Sequence, residues 1–303
     1  MKKIVDFIKN PGLAFISLGH RGFFKNMSDE EYLKIAYRIK MGKTLDLDNP
    51  RTFNEKLQWL KIHDRNPLYT MMVDKYEVKK YIAEKIGSEY IIPTIGVWDR
   101  FEDIDFDKLP NQFVLKCTHD SGGLVICRDK SKFDIASARR KINSCLRHNY
   151  FWGMREWPYK DVKPRIIAEQ YIGDSSGNLR DYKFFCFNSE PKFIYLSEGL
   201  ENHSTAKISF FDLNGNQMKF HRSDFKPFNS EIKMPENFNQ MLELSRKLAR
   251  YVNNQFCRLD FYSVNSCIYF SEITFYPCGG MLPFEPEEWD YRLGSWIKLP
   301  EKQ

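Results

Sequence analysis

The sequence predicts an α+β protein, and three observations predict it. The first third carries helix start and stop signals with apolar residues at helical spacing. After Gly87 the texture changes to short strand-like runs bounded by Pro, Gly, Asn and Asp. Helices and strands then mix without strict alternation, and no repeat or low-complexity segment interrupts them. The length of 303 residues, 42% of them apolar, suits one large or two medium domains with a substantial core.

In chain order, Ser28 and Glu31 form a capping box that opens a helix running to about Met41, where Gly42 stops it. Thr52 and Glu55 form a second box, followed by Leu57 and Leu60 on one face. Asp74 opens a third helix with Glu77 at the box position; Val78, Ile82 and Ile86 recur at helical spacing and Gly87 ends it. Residues 113–117 and 124–128 are strands flanking a turn-rich segment, and a helix from Asp134 to about Arg147 turns Ile135, Ala138, Ile142 and Leu146 inward. Strands are expected over 165–172, 181–187, 192–197 and 207–212, with Asn214-Gly215 as a hairpin turn. A helix over 235–252 precedes a final hairpin, 256–262 and 267–273.

The net charge of +6 comes from 46 basic and 40 acidic residues spread along the chain, with no block that reads as a nucleic-acid arm. It suits an anionic ligand such as a nucleotide or an acidic sugar. The many aromatics, 25 Phe, 16 Tyr and 6 Trp, suit a strand-rich core first and stacking surfaces second. Seven isolated cysteines without a CxxC pair indicate neither a zinc knuckle nor a redox dithiol, and point to free buried thiols in a reducing, cytoplasmic compartment. The basic, aromatic-rich start fails as a signal peptide because its apolar run, Leu13 to Leu18, is short and lacks a cleavage site. It can pack on the body of the protein or lie at the inner face of the cell membrane.

Chemistry concentrates in four places. On the final hairpin, Leu259, Phe261, Tyr269 and Ile273 share one parity, and Arg258, Asp260, Glu272 and Thr274 the other. An odd-length loop would set Arg258 opposite Glu272. Two carboxylates on a polar face suit a hard divalent cation, and an arginine beside them suits a phosphoryl group in flight; the plainer alternative is a solvated cross-strand ion pair. Lys116 ends a strand that enters the loop His119-Asp120-Ser121-Gly122-Gly123, whose glycines let backbone amides approach phosphate oxygens. Glu169-Gln170-Tyr171-Ile172 closes a buried strand with a carboxylate and can line an adenine slot. Asp181 and Lys183 share one face of the next strand. The six histidines offer no metal-ligand spacing, and solvent exposure is expected of His119.

The order of these pieces, Lys75 on a helix, Lys116 before a glycine loop, Glu169 to Ile172, Asp181 with Lys183, then Arg258, Asp260 and Glu272, resembles the ATP-grasp superfamily. More narrowly, Thr52-Phe-Asn-Glu-Lys-Leu-Gln-Trp-Leu-Lys61, Val73-Asp-Lys-Tyr76, Phe113-Val-Leu-Lys-Cys117, Ser121-Gly-Gly and Asp181-Tyr-Lys-Phe-Phe-Cys-Phe187 resemble the teichuronopeptide-biosynthesis-like ATP-grasp family of polysaccharide gene sets. The resemblance implies a fold of two α+β lobes clasping a nucleotide behind a helical amino-terminal region. Its implied division is a helical region 1–70, a small α/β linker lobe 71–110, a first lobe 111–172 and a second lobe 173–303. It implies that ATP is held by Lys75, Lys116, the loop His119, Asp120, Ser121, Gly122 and Gly123, the segment Glu169, Gln170, Tyr171 and Ile172, and Asp181. It further implies Mg²⁺ on Asp260, Glu272 and Thr274, with Arg258 and Lys183 as the catalytic cations. Many members carry Glu-x-Asn where this chain has Glu272-Ile-Thr274, and a hydroxyl is a poorer magnesium ligand than an amide oxygen. Residues 1–70 read as helical, so the superfamily's usual Rossmann-like first domain is expected to be reduced or replaced.

The function that follows is an ATP-dependent carboxylate–amine ligase working through an acyl phosphate, amidating a uronic-acid sugar of a capsule or surface polysaccharide. Its partners would be ATP, a saccharide or small carboxylate and an amine, with no nucleic acid and with a peripheral contact to membrane or polysaccharide assembly left open. The alternatives are a kinase on the same fold, a glycosyltransferase, for which no paired Asp-x-Asp motif is present, and a binding module that has lost the reaction.

Overall fold

The computed structural model describes residues 11–173, 179–199 and 206–301; the expectations for residues 1–10 lie outside them. Helices come first, at Pro11–His20, Asp29–Met41, Phe53–His63, Leu68–Val73 and Glu77–Ile86. Both capping boxes form. Ser28 Oγ accepts from Glu31 N at 3.2 Å, and Gly42 takes the left-handed conformation that ends the helix. Thr52 Oγ1 accepts from Glu55 N at 3.1 Å, and Glu55 Oε2 accepts from Thr52 N at 2.9 Å. Asp74 caps two residues early, accepting from Tyr76 N and Glu77 N, so the helix starts at Glu77 and Lys75 lies in the turn before it. Among the described residues no strand precedes Thr94.

The chain divides into two compact units, Met1–Asp46 with Lys61–Val78 and Pro93–Tyr171, and Leu47–Leu60 with Lys79–Ile92 and Ile172–Gln303. The first holds a four-stranded antiparallel sheet of β1 (Thr94–Trp98), β2 (Phe113–Cys117), β3 (Leu124–Cys127) and β4 (Ile166–Gln170), ordered β1-β4-β2-β3. Alternation sends Phe113, Leu115 and Cys117 of β2 and Ile166 and Ala168 of β4 into one core with Ala138 and Ile142 of the helix Ile135–Leu146. Ile135, expected inward, is 41% exposed, because the helix meets the sheet through its middle turns. Val114, Lys116, Ile167 and Glu169 line the other face.

The second unit holds a five-stranded antiparallel sheet, ordered β10-β9-β5-β6-β7, of β5 (Asp181–Phe187), β6 (Glu190–Glu198), β7 (Lys207–Asp212), β9 (Phe256–Val264) and β10 (Cys267–Thr274). A two-stranded ladder pairs β8 (His221–Arg222) with β11 (Phe284–Glu285). Phe184, Leu259 and Phe261 share the face that meets the helix Phe238–Val252, where Phe184 stacks on Phe238 at 6.0 Å between centroids. On the other face Phe185, Phe193, Phe210 and Phe220 build an aromatic core. The segment Thr52–Leu60 serves this unit as scaffold. Asn54 Nδ2 donates to Leu282 O and Asp290, and Gln58 Nε2 donates to Gly279 O and Gly280 O, holding the chain that leaves β10.

The cysteines are all free, but Cys267 and Cys278 are exposed, since one opens β10 and the other sits in a left-handed turn after it. Among the described residues no helix is long and apolar enough to cross a membrane.

Lys61 gives the first unit a pH-dependent term. Its side chain is 1% exposed and donates to Met154 O at 2.8 Å, and burial pulls its pKa down to about 7 against Glu156 and Asp29. Between pH 7 and its ordinary 10.5 the unfolded chain keeps a proton that the folded chain has lost, so stability rises with pH across that window. At its steepest the gain is about 1.4 kcal/mol per pH unit. Denaturant titrations at pH 7 and 9 are expected to show this gain in the wild type and to lose it in Lys61→Met; equal pH dependence in the two proteins would remove the assignment.

Candidate functional site

In the first unit the predicted residues gather on the β2–β3 loop and on the face of β2 and β4 turned away from the helix Ile135–Leu146. Val114 faces Glu169 and Lys116 faces Ile167, so Lys116 and Glu169 are diagonal neighbours, and Lys116 Nζ meets Glu169 Oε2 at 2.6 Å. Glu169 is 4% exposed, so this is a buried carboxylate answered by a half-buried lysine. Lys75 N donates to Thr118 O at 3.1 Å and Lys75 Nζ to Asp120 O, which ties the turn before the helix Glu77–Ile86 to the glycine loop. The loop closes on itself, with Cys117 N donating to Gly123 O at 2.7 Å and Gly123 N to Asp120 Oδ1 at 3.2 Å. A Cβ on Gly123 would lie 2.7 Å from Cys117 Sγ, and Gly122 has φ +144, so both positions require glycine. Ser121 and Gly122 are exposed, leaving the loop tip open to a ligand.

One expectation changes here. His119 is 2% exposed, its Nε2 lying 3.3 and 3.2 Å from the carbonyl oxygens of Cys145 and His148, so it anchors the loop instead of facing solvent. In the segment expected to line an adenine slot, Gln170 is exposed and bonded through its N–H to Pro93 O; Tyr171 lies beside Arg128, and Ile172 lies past the end of the strand. Arg165 was missed. It bonds Asp74 and Glu77, each at 2.8 Å, and its carbonyl accepts from Thr118 N, bracing the Lys75 turn. Its only signal was its place at the mouth of a strand.

In the second unit one charged network spans three adjacent strands. Lys183 on β5 lies directly opposite Asp260 on β9, and its Nζ is 2.8 Å from Asp260 and 2.9 Å from Asp181. Arg258 grips Asp260 with two hydrogen bonds, 2.7 and 2.6 Å, and reaches Glu272 on β10 at 2.9 Å. Thr274 Oγ1 is 3.5 Å from the same Glu272 oxygen. Asp260 is fully buried, Lys183 and Arg258 nearly so, and Glu272 is partly open. Burial alone would raise the Asp260 pKa, but Arg258 and Lys183 hold it below the ordinary range. Burial likewise opposes the charge on Lys183 and Arg258, and the carboxylates around them win, keeping both protonated. For Asp181 burial prevails and its pKa rises.

The register differs from the expected one. Asn265 and Ser266 form a two-residue left-handed turn, and a bulge between Phe270 and Glu272 shifts the pairing by one. Glu272 therefore faces Asp260, and Thr274 faces Arg258. The bulge also swaps parity, so Ile268 and Phe270 join Ile273 in the core and Tyr269 turns to the other face. Two residues were missed. Tyr195 faces Lys183 across β5 and β6, and Arg222 donates to its hydroxyl at 3.2 Å while gripping Asp224. Strand parity in Phe193–Ser197 could have found Tyr195; nothing local marked Arg222.

The donor set suits a hard divalent cation. Three carboxylates, Asp181, Asp260 and Glu272, surround two cations, Lys183 and Arg258, leaving an excess of one negative charge when all are ionised. Asp181 Oδ1 is buried without a hydrogen-bond partner. All-oxygen donors with residual negative charge are what Mg²⁺ takes, in company with phosphate oxygens.

No curated protein matches the chain. Among solved structures it is similar to a D-alanine–D-alanine ligase from Bacillus anthracis complexed with ATP, at 15% identity and TM-score 0.40, over 68% of this chain and 54% of that one. It is also similar to the D-alanine–D-alanine ligase of Helicobacter pylori, at 12% identity and TM-score 0.44, over 81% of this chain and 69% of that one. A third is an ADP complex of an N5-carboxyaminoimidazole ribonucleotide synthetase, at 14% and 0.43, over 82% and 57%. The chain thus spans about half the length of the first of these. The family description TupA-like ATPgrasp matches residues 55–298, the region that holds both charge clusters and both sheets. The chain belongs to the TupA-like ATP-grasp family and has its α+β, ATP-grasp fold.

Proposed function

We propose that the chain is an ATP-dependent carboxylate–amine ligase. The observation that carries this reading is the Lys183–Asp260–Arg258–Glu272 network, a buried set of cations and carboxylates in a member of an ATP-grasp family. Phosphoryl transfer asks little covalent chemistry of a protein and much positioning and charge stabilisation. The network offers both.

In this reading Lys116 and Lys75 contact the phosphates, the loop Asp120–Gly123 covers them with its amides, Glu169 to Ile172 hold the adenosine end, and Asp181 joins the nucleotide site as the partner of Lys183. Asp260 and Glu272 would hold Mg²⁺, with Thr274 behind Glu272; when bound, the ion supplies charge neutralisation at phosphate oxygens. Arg258, fixed by two carboxylates, presents a rigid cation to the phosphoryl group as it leaves ADP, and Lys183 presents a second. A substrate carboxylate oxygen bonds to the γ-phosphorus as the bond to ADP breaks, giving an acyl phosphate. An amine then bonds to the acyl carbon, inorganic phosphate departs, and the amine gives up a proton. The proposed setting is amidation of a uronic-acid sugar of a surface polysaccharide, with the helical region 1–70, the linker lobe 71–110 and the lobes 111–172 and 173–303 as its parts.

Hydroxylamine tests the intermediate. With ATP, magnesium and a panel of uronic acids, the protein is expected to form a hydroxamate with at least one of them. Stable phosphorylated product with no hydroxamate would make the protein a kinase. Turnover of a nucleotide-sugar without ATP would make it a glycosyltransferase.

A further inference from the structure

We propose that Cys117, Asp120 and Cys145 form a binding site for one soft divalent cation of the zinc and cadmium class. The two thiol sulfurs and an Asp120 carboxylate oxygen all lie within 4.8 Å of one another. In a tetrahedral site with Zn–S near 2.3 Å and Zn–O near 2.1 Å, neighbouring donors stand roughly 3.5–3.8 Å apart. Closing the trio onto an ion therefore asks for side-chain shifts of about an ångström and no new fold. Two thiolates and one carboxylate make a soft set, unlike the all-oxygen set on β9 and β10.

The elements that carry the donors are fixed independently. Cys117 ends β2 and is fully buried in the first unit's core. Cys145 lies in the last turn of the helix Ile135–Leu146, which packs on that core. Asp120 is held by Gly123 N at 3.2 Å, in a loop closed by the bond from Cys117 N to Gly123 O. His119 clamps the two sides together. Its Nε2 faces the carbonyl oxygens of Cys145 and His148, acceptors that only a ring N–H can satisfy. Its Nδ1 is buried and has no hydrogen-bond partner. Cys145 and Asp120 are partly open, so an ion can enter and a water can complete its shell. The sequence conceals the site, because a strand end and a helix end supply the two thiols 28 residues apart.

The site shares Asp120 with the loop assigned to the phosphates, and its test reads metal binding alone and needs no turnover. The full chain, kept reduced, is titrated with Cd²⁺ while thiolate-to-cadmium absorbance in the ultraviolet is followed, with Zn²⁺ as competitor. One equivalent is expected to saturate the wild type and the Cys267→Ser/Cys278→Ser variant, whose changed thiols are the exposed ones. Affinity is expected to fall at least about tenfold in Cys145→Ser and in Asp120→Asn. Zn²⁺ is also expected to raise the melting temperature of the wild type and not of those two variants. No charge-transfer band, a band unchanged in both Cys145→Ser and Asp120→Asn, or a band lost with Cys267 and Cys278, would overturn the proposal.

Discussion

Glu272→Gln is expected to cut turnover by about a hundred- to a thousandfold, the cost of removing one well-placed charge from a transferring group, while the protein stays folded. Glu272 is partly open, and its amide replacement can still accept from Arg258. Asp260→Asn is expected to lose both activity and stability. Asp260 is fully buried and answers Lys183 and Arg258 at once, so neutralising it leaves two buried cations short of a counter-charge, at a cost of about 3–5 kcal/mol. ADP release with the carboxylate that supports hydroxamate formation reads the first effect, and thermal unfolding reads the second. Turnover at wild-type level in Glu272→Gln would remove the magnesium and phosphoryl assignment from β9 and β10.

Phe193→Ala is expected to destabilise the chain by about 3–5 kcal/mol, seen as a lower denaturant midpoint. Phe193 is fully buried, with ring centroids 4.6 Å from Phe185, 5.7 Å from Phe210 and 5.9 Å from Phe220. Phe185 and Phe193 face Arg258 and Asp212 on the sheet face that also carries Lys183, Tyr195 and Asp260. The aromatic core therefore backs the charged network. A loss of less than about 1 kcal/mol would mean that the neighbouring rings collapse into the vacated space.

The α+β character and most elements were legible because their signals are local. Capping boxes at Ser28 and Thr52, glycine stops at Gly42 and Gly87, and alternation in β2, β5 and β9 each act within a few residues. Asp181, Lys183, Arg258, Asp260 and Glu272 were found by strand parity, and the sheet brings all five together. What escaped depends on distant partners. The bulge beside Phe270 inverted the parity of Tyr269 and moved Arg258 from Glu272 to Thr274, though the long guanidinium still reaches Glu272. His119 was expected in solvent because its acceptors, the carbonyls of Cys145 and His148, lie on a helix end that no local pattern connects to it. Arg165, Tyr195 and Arg222 escaped for the same reason.

Nucleotide binding tests the central claim most directly, read as the shift in melting temperature with ATP, with and without Mg²⁺, on the wild type and on Lys116→Ala. A ligand that binds only the folded state raises its stability by mass action, about 2.7 kcal/mol at a hundred times the dissociation constant. The account predicts a shift that magnesium enlarges and that Lys116→Ala loses, measured from the variant's own ligand-free melting point. No shift with ATP in the wild type, or an equal shift in Lys116→Ala, would contradict it.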